Sequence, residues 1–262
     1  MSTQSNIVDA YLQRLSIDGS PEPGLPGPQL LHRAHVARVP YEDLGTCAGP
    51  RSDLPTLLDR ITLQRRGGSA TELNLAFAML LVGLGFTVAP LHVTPPKEHA
   101  HSAMPRVALS VTIGADAYLA DVSGSAADGP LDLGVADLQT DTAGRFEVLR
   151  DRRGQNAAVR GSDGLRYRIS PTTHVLDAVA SDAVTRLGLD RSARRHRTAP
   201  VVSLRRQRGR TTLLGTRLIE TNGTARTDVE LRREKLGSVM RDRFGVQLSP
   251  GEERCVCAAG PA

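Results

Sequence analysis

Cysteine thiols, which could act as nucleophiles or metal ligands, are few in this sequence. Cysteine occurs three times, at Cys47, Cys255 and Cys257. Three thiols are too few for the disulfide framework of a small secreted domain. The pair Cys255 and Cys257 has no histidine near it in the chain to complete a metal site. We therefore expect no metal, and we interpret these two cysteines as incidental.

Arginine is the second residue type that could form a functional site. Of the 33 basic residues only Lys97 and Lys235 are lysine, and arginine-rich runs occur at 190–197 and 204–210. Such runs could bind phosphate. Neither run contains an aromatic residue for base stacking, and the sequence has no nucleic-acid-binding motif. We therefore expect no nucleic-acid partner.

The elements that must position these residues are helical in the first region. Apolar spacing and proline positions predict helices starting near Tyr11, from residue 28 to before Pro40, and from residue 53. The best-marked helix starts at Ser69, which with Glu72 has the spacing of a capping box. That helix is expected to end at Gly85.

Period-two patterning begins near residue 88 and predicts an antiparallel barrel. Strands are expected at 107–113 and 117–122, joined in a hairpin, and again at 146–149 and 165–169. A helical stretch at 174–187 should follow, then strands at 201–204 and 212–219 and an Asn222-Gly223 turn. A second capping-box spacing at Thr227 and Glu230 predicts a helix through Phe244, ended by Gly245. The domains expected are 1–88, 89–198 and 199–262.

Composition places the chain among globular proteins. It has 262 residues, of which 40% are hydrophobic, and no apolar run approaches the roughly 18 residues that span a bilayer. The first residues lack the basic and apolar segments of a signal peptide. We expect a cytoplasmic protein with no membrane partner.

Four segments together resemble one enzyme family. LHRAHVARVPYEDL at 31–44 resembles LHxxHxxxxPFENL, and RRGGSATELN at 65–74 resembles RRGGYCFExN. Residues 109–122 resemble a strand pair that ends in VDVGFG, and the last strands and helix resemble a third domain. The pattern is that of the arylamine N-acetyltransferases and is also similar to ansamycin amide synthases. The resemblance implies an α+β fold of three lobes: a helical bundle, an antiparallel β-barrel and an α/β lid.

The same resemblance implies a buried Cys-His-Asp triad that takes an acetyl group from acetyl-CoA as a thioester. Here the cysteine position is Ala70 and the histidine position is Arg106, so only Asp121 is retained. A methyl group is no nucleophile, and a guanidinium does not act as a general base. Ala70 should lie at a helix N-terminus facing Arg106 and Asp121, which we expect to form a charge-assisted pair. This pair could only fill and neutralise the vacated triad, or Arg106 could bind a carboxylate, enolate or phosphate of a ligand.

Residues near this position offer poor substitutes for the missing cysteine. Ser69 is better explained as the helix N-cap than as a nucleophile, and Cys47 as a buried or incidental thiol. His99 and His101 precede Arg106 on a proline-rich loop and are interpreted as exposed.

The surrounding residues predict a polar and widened substrate site. Tyr41, Ser69, Thr71, Ser123, Gly124 and Ser125 are the expected substrate contacts. Ser69, Thr71 and Gly124 stand where the family has aromatic residues, and each such side chain would bury about 150–250 Å². Glu42 and Glu72 match acids of the family; we interpret both as structural, Glu42 as a partner of Arg65 or Arg66.

Three functions remain open. The chain could be a repurposed enzyme of specialised metabolism that performs acyl transfer, amide formation or cyclisation on a bulky polyketide- or thioester-like substrate without a covalent intermediate. It could instead be a non-catalytic ligand- or partner-binding protein, or an acetyl-CoA-dependent acetyltransferase with a relocated nucleophile. No cofactor is expected; the substrate would be a small molecule bound to CoA or a carrier protein, and acetyl-CoA or another acyl thioester could serve. The oligomeric state is not indicated.

Overall fold

A computed structural model of the chain describes residues 3–44, 47, 53–94, 106–123, 127–153, 155–161, 164–171 and 200–259. The predicted helical stretch at 174–187 lies outside these residues. Within the described part of the chain, none of the helices combines the length and the apolar character needed to cross a bilayer.

Helices dominate the first region, as predicted. They are α1 (Thr3–Arg14), α2 (Pro26–Arg38), α3 (Leu54–Thr62) and α4 (Ala70–Gly83). Asp53 caps α3 by accepting a hydrogen bond from the backbone N–H of Thr56 at 3.0 Å. The capping box of Ser69 and Glu72 opens α4, which the sequence predicted from their spacing.

An antiparallel sheet of eight described strands forms the second region, and its two edges nearly meet. The strands are β2 (Thr87–Thr94), β3 (Arg106–Ile113), β4 (Asp116–Ala120), β5 (Leu131–Asp132), β6 (Gln139–Asp141), β7 (Gly144–Arg150), β8 (Asn156–Gly161) and β9 (Gly164–Pro171), in the order β5-β4-β3-β2-β9-β8-β7-β6. The Gln139 amide donates to the carbonyl of Asp132 at 2.8 Å and accepts from its N–H at 2.7 Å. One side chain therefore links the two edges of a nearly closed barrel, and the predicted hairpin and strands are confirmed.

Strand β3 joins the helices to the barrel because its side chains alternate between two cores. Val107, Leu109 and Val111 are buried in a cluster with the apolar faces of α1, α3 and α4. Ala108, on the other face, lies in the barrel core with Phe146. Burial of both faces of this strand fixes α4 against the barrel.

The third region is built on a five-stranded antiparallel sheet in which one strand comes from the first region. The strands are β1 (Tyr41–Asp43), β10 (Val201–Arg206), β11 (Gly209–Leu214), β12 (Arg217–Asn222) and β13 (Ala225–Glu230), in that spatial order. Helix α5 (Arg233–Val239) continues into a π-helical segment (Met240–Phe244) that covers one face, and α6 (Pro250–Ala259) follows. Because β1 pairs with β10, the third-region sheet is not contiguous in sequence. The domain boundaries at 88 and 198 stay predictions.

Two predictions for this region were wrong. The stretch 212–219 is a hairpin rather than one strand, because the chain turns at Gly215, whose φ is +58°. Thr227 and Glu230 lie in β13 and open no helix. Glu230 instead accepts a hydrogen bond from Thr216 across the sheet. The turn at Gly223, with φ +60°, and the helix end at Gly245, with φ +67°, are as predicted.

The interpretation of Cys47 and Cys255 as incidental was also wrong. The two residues form a disulfide with Cα atoms 5.5 Å apart, although they are 208 residues apart in sequence. The distance suits a disulfide, and it arises because α6 packs against the segment after β1. Local sequence carries no sign of such a pairing. Cys257 is a half-buried thiol.

The three regions together confirm the predicted α+β class. Helical, barrel and third-region cores are each apolar, and the first two meet along β3.

Candidate functional site

Ala70 is the first residue of α4, where the sequence placed it. The Ser69 hydroxyl accepts from the N–H of Glu72 at 3.5 Å, and the Glu72 carboxylate accepts from the N–H of Ser69 at 2.8 Å. Glu72 is also 3.3 Å from the guanidinium of Arg60. Ser69, Ala70 and Thr71 are half-buried. Ser69 is therefore the N-cap of α4, as the sequence predicted.

The segment before this helix is held by close backbone packing. A Cβ atom on Gly67 would lie 2.0 Å from the carbonyl oxygen of Pro40, so only glycine fits there. The buried Arg14 donates to the carbonyls of Ile61 at 3.1 Å and Arg38 at 2.7 Å, at the ends of α3 and α2. These contacts fix the loop that delivers Ser69 to the helix start.

Arg66 in the same segment lies between two carboxylates. Its Nε donates to Glu42 at 2.9 Å and its Nη2 donates to Glu252 of α6, also at 2.9 Å. Glu42 additionally accepts from the N–H of Gly67 at 2.9 Å. Burial alone would lower the pKa of Arg66, but its bonds with both carboxylates outweigh burial and raise the pKa above its ordinary value. The predicted structural role of Glu42 is confirmed, with Arg66 as its partner.

Tyr41 lies beside this loop through backbone pairing. Strand β1 forms a parallel bridge between Tyr41 and Gly68, and the N–H of Glu42 donates to the Gly68 carbonyl at 2.9 Å. The Tyr41 hydroxyl donates to Asp43 at 3.4 Å, and its ring is half-buried against the helical core. Tyr41 is thus next to the segment that leads to Ala70, although its contact with a substrate stays a prediction.

Asp121 follows β4 and is almost completely buried, with 2% of its surface exposed. Its Oδ1 accepts from the amide of Asn74 at 2.9 Å, from the N–H of Ser123 at 3.1 Å and from the Ser123 hydroxyl at 2.6 Å. Ser123 is buried and acts as a hydrogen-bond donor to Asp121; its predicted contact with a substrate is untested.

Asn74 connects α4 to the strands that carry the site. Besides bonding Asp121, its amide donates to the carbonyl of Val107 at 2.8 Å and accepts from the N–H of Val122 at 2.9 Å. Ala70 lies one helical turn before Asn74, so the two residues share a face of α4. The helix face of Ala70 is therefore the face that meets Asp121.

Strand β3 begins at Arg106, directly before the Val107 carbonyl that Asn74 binds. This places the Arg106 backbone at the site. The side chain of Arg106 lies outside the described part of the structure, as do the predicted contacts Gly124 and Ser125 and the loop histidines His99 and His101. The proposed pairing of Arg106 with Asp121 stays a prediction.

Two histidines of the first motif lie underneath the site. His32 is buried, and its Nδ1 is 3.0 Å from the Asp128 carbonyl oxygen. Burial lowers the pKa of His32, and the Asp128 carbonyl and the Asp121 charge only partly offset this. His35 is bonded to the buried Tyr11 hydroxyl at 2.9 Å, and burial lowers its pKa well below the ordinary range. Both rings are neutral core residues at pH 7.

Sequence reasoning missed three residues that shape this region: Asn74, Glu252 and Cys255. Asn74 is the last residue of the RRGGSATELN motif, so its motif position could have indicated it. Glu252 and Cys255 contact the first region only through tertiary packing of α6, for which the sequence carries no local signal.

The fold and this arrangement define an acetyltransferase-like protein with a capped helix facing a buried aspartate. A sequence model of the N-acetyltransferase family matches residues 29–253. Among solved structures, an arylamine N-acetyltransferase from Mycobacterium smegmatis has a TM-score of 0.80 at 22% identity, covering 96% of this chain and 97% of that chain. The Salmonella typhimurium enzyme has a TM-score of 0.77 at 22% identity, covering 99% of each chain.

The chain belongs to the N-acetyltransferase family, as its RRGG segment predicted. A curated relative from Salmonella typhimurium, named arylamine N-acetyltransferase / N-hydroxyarylamine O-acetyltransferase, is 29% identical over 154 residues, 56% of this chain and 54% of the relative. The match thus spans about half the length of that relative. The structural likeness, at 22% identity, shows the fold alone.

Proposed function

We propose that this chain is an acyltransferase of specialised metabolism that acts on a bulky thioester without forming an acyl-enzyme. The observation that carries the proposal is a retained scaffold around an absent nucleophile. Asp121 is buried and bonded to Asn74, and Ala70 lies on the same helix face, one turn away. The helix start, the RRGG loop and the aspartate are all in place, while position 70 carries only a methyl group.

Direct transfer needs no enzyme nucleophile if both reactants are held in position. The amine nitrogen would attack the thioester carbonyl, the C–S bond would break, and the thiol would leave with the proton released by the amine. The backbone N–H groups and dipole at the start of α4 would stabilise the oxyanion. In this mechanism Asp121 positions Arg106, whose guanidinium polarises the carbonyl.

A relocated nucleophile receives less support from these residues. Cys47 is bonded to Cys255, so it has no thiolate to offer while the disulfide persists. The Ser69 hydroxyl accepts the N-capping bond from Glu72. Both candidates therefore have structural roles.

A non-catalytic ligand-binding role is the second candidate, and one observation favours it. Asp121 Oδ1 accepts three hydrogen bonds, from Asn74 and twice from Ser123. A carboxylate oxygen with this many donors serves as the centre of a structural network.

The first experiment uses intact-protein mass spectrometry and product detection together. The chain is incubated with acetyl-CoA, or with long-chain or aromatic acyl-CoA thioesters, and an arylamine. We expect amide product from the bulky donors, little from acetyl-CoA, and no acyl adduct on the protein. A stable adduct on Cys47 or Ser69 would support the relocated nucleophile. Binding of the thioesters without any product would support the non-catalytic role.

Variants of the proposed pair separate a working site from a relic. Arg106→Lys keeps the charge but loses the planar fork, so turnover should fall with little change in stability. Asp121→Asn should reduce both turnover and stability. Asp151→Asn is a matched control, because Asp151 accepts loop hydrogen bonds from Arg153 and Gln155 far from this network. Unchanged turnover in Arg106→Lys would mean that the arginine only fills the position.

A converse experiment tests the geometry without knowledge of the substrate. The double variant Ala70→Cys with Arg106→His restores the residue types of the family triad. We expect it to gain one acetyl group from acetyl-CoA, mapped to position 70, whereas wild type does not. No adduct would show that position 70 does not face the donor.

A further inference from the structure

The described residues cover only half of one face of the third-region sheet. Side chains of successive residues on a strand point to opposite faces. On the covered half, Val202, Leu204 and Leu213 pack against Met240 and Phe244 of the π-helical segment. That segment ends at Phe244, and the same sheet face continues beyond it toward two hairpin tips.

A cleft of about 580 Å³ occupies this uncovered half. We call it the Arg206 cleft. The arginine, carboxylate and hydroxyl side chains that line it include Arg206, Arg208, Arg243, Glu220, Thr211 and Thr227. Its volume falls in the range of small-molecule sites in proteins. Apart from Ala225, the described residues that line the cleft carry charged or polar groups, so the cleft can bind a charged ligand.

Charge in the Arg206 cleft is unbalanced. Among the described residues that line it, three are arginines and one is an acid, Glu220, which is 3.7 Å from Arg243. The side chain of Arg243 is 54% exposed, and Arg208 lies at an exposed turn. The surplus of positive charge in a concave surface attracts anions.

Arg206 is held in place by its own contacts. Its Nε donates to the Thr211 hydroxyl at 3.2 Å, and its Nη2 donates to the carbonyl of Arg243. Partial burial and the neighbouring Arg243 charge lower the pKa of Arg206, and Glu220 offsets this only in part. A bound anion would stabilise the neighbouring positive charges of Arg206 and Arg243.

The Arg206 cleft is separate from the Ala70 region. The preceding residue, Arg205, points to the other face of the sheet, where its Nε is 2.7 Å from Asp128 on the loop after β4. Asp128 in turn accepts from His32, beneath the candidate active site. Arg206 faces away from this contact, so a ligand in the cleft would not occupy the substrate site.

From this geometry we propose that the Arg206 cleft binds a phosphate-bearing small molecule. Guanidinium forks match the oxygens of a phosphate in a bidentate manner, and threonine hydroxyls supply further donors. A diphosphate spans more than one arginine, and so satisfies the three cations better than a single carboxylate does. The site is independent of the acyl-transfer function proposed above.

Isothermal titration calorimetry of the full chain with inorganic pyrophosphate and with ADP tests the proposal. We expect both to bind with one-to-one stoichiometry, and succinate, a dicarboxylate, to bind at least tenfold more weakly. Arg206→Gln should weaken pyrophosphate binding at least tenfold. Arg208→Gln, at an exposed turn where folding is not at stake, should weaken it several-fold.

The matched control is Arg226→Gln. Arg226 lies on the neighbouring strand β13 with its side chain 60% exposed, and it contacts Asp228 on the opposite face. This variant removes the same charge without touching the cleft, so its pyrophosphate affinity should stay within twofold of wild type. If Arg226→Gln and Arg208→Gln lost equal pyrophosphate affinity, the effect would depend on net charge alone, and the proposal would be overturned.

Two further results would also overturn it. One is the absence of heat with both pyrophosphate and ADP at millimolar concentration. The other is tighter binding of a short single-stranded oligonucleotide that competes with pyrophosphate, since this would make the cleft part of a nucleic-acid surface. Retained pyrophosphate binding by Asp121→Asn would support the separation of the two sites.

Discussion

Arginine occurs in two contrasting settings in this molecule. Arg66 lies between the carboxylates of Glu42 and Glu252, with 15% of its side chain exposed. Arg206 lies beside another arginine, and Glu220 is the only acid among the described residues that line its cleft. The pKa of Arg66 is raised by its partners despite burial, whereas the pKa of Arg206 is lowered by partial burial and the Arg243 charge.

The difference separates an arginine that holds the fold from one that is available to a ligand. Loss of one partner of a buried, compensated charge is strongly destabilising, because the other charge stays buried without a counter-charge. Surplus charge contributes little to stability and acquires a partner from outside. Substitution of the two residues should therefore have opposite consequences for folding and for binding.

The largest loss of unfolding free energy is expected from Arg66→Met. Glu42 is only 6% exposed, so removal of the guanidinium leaves a buried carboxylate without its counter-charge, at a cost of about 3–5 kcal/mol. Arg206→Met should cost less than about 1 kcal/mol, because its neighbourhood loses a like charge. Urea unfolding of both variants measures the contrast. Similar losses of unfolding free energy in the two variants would contradict the distinction between the two settings.

The sequence predicted one of these settings far better than the other. The RRGG segment, the capping box at Ser69 and the pairing of Glu42 with an adjacent arginine are encoded within short stretches, so their positions were predictable. The approach of α6 to Arg66 depends on packing between residues that are 186 apart. The Arg206 cleft likewise forms where hairpin tips and the end of a helix meet, and no short motif describes such a meeting.

One local sequence signal gave a wrong prediction because cross-strand contacts outweigh it. Thr227 and Glu230 have the spacing of a capping box, but Asp228 between them forms an ion pair with Arg217 on β12 at 2.6 Å. Leu218 and Val229 pair on the same two strands. Pairing along the whole hairpin stabilises the strand, and a capping signal alone cannot offset it.

Loss of the Cys47–Cys255 disulfide should have the next largest effect, since this bond holds α6 and hence Glu252 near Arg66. A disulfide typically stabilises a fold by about 2–4 kcal/mol. We expect reduction with dithiothreitol, or Cys255→Ser, to lower the free energy of unfolding by that amount.

Cys257→Ser is the matched control for the disulfide, because Cys257 is a thiol. It should leave stability and its response to dithiothreitol unchanged. Titration of the denatured, unreduced chain should find one thiol per molecule; three thiols would show that the bond does not form.

Gly67→Ala probes the backbone on which Arg66 depends. A Cβ at Gly67 would meet the Pro40 carbonyl oxygen at 2.0 Å, and relief of such a clash requires movement of the loop, at about 2–3 kcal/mol. Gly129→Ala is the matched control, since a Cβ there has no atom within 4 Å among the described residues. In thermal unfolding, the melting temperature of Gly67→Ala should be well below that of Gly129→Ala, and the latter should stay near that of wild type. Equal melting temperatures would mean that the loop is not constrained by this contact.

The smallest effect is expected from the pH dependence of Glu252. Burial would raise its pKa, but hydrogen bonds from Arg66 and Ser249 outweigh this and lower the pKa in the folded chain. A carboxyl whose pKa is lower in the folded state stabilises the fold above its unfolded pKa, and this contribution is lost as the pH falls through the folded pKa. Wild type should therefore lose stability from about pH 5 downward. Glu252→Gln should lose less over the same interval, with a difference of at most about 1 kcal/mol. Urea unfolding at a series of pH values measures both slopes, with Glu234→Gln, on the exposed first turn of α5, as the control. Parallel slopes in wild type and Glu252→Gln would show that Glu252 does not contribute to the compensation of Arg66, and the contrast with Arg206 would then rest on Glu42 alone.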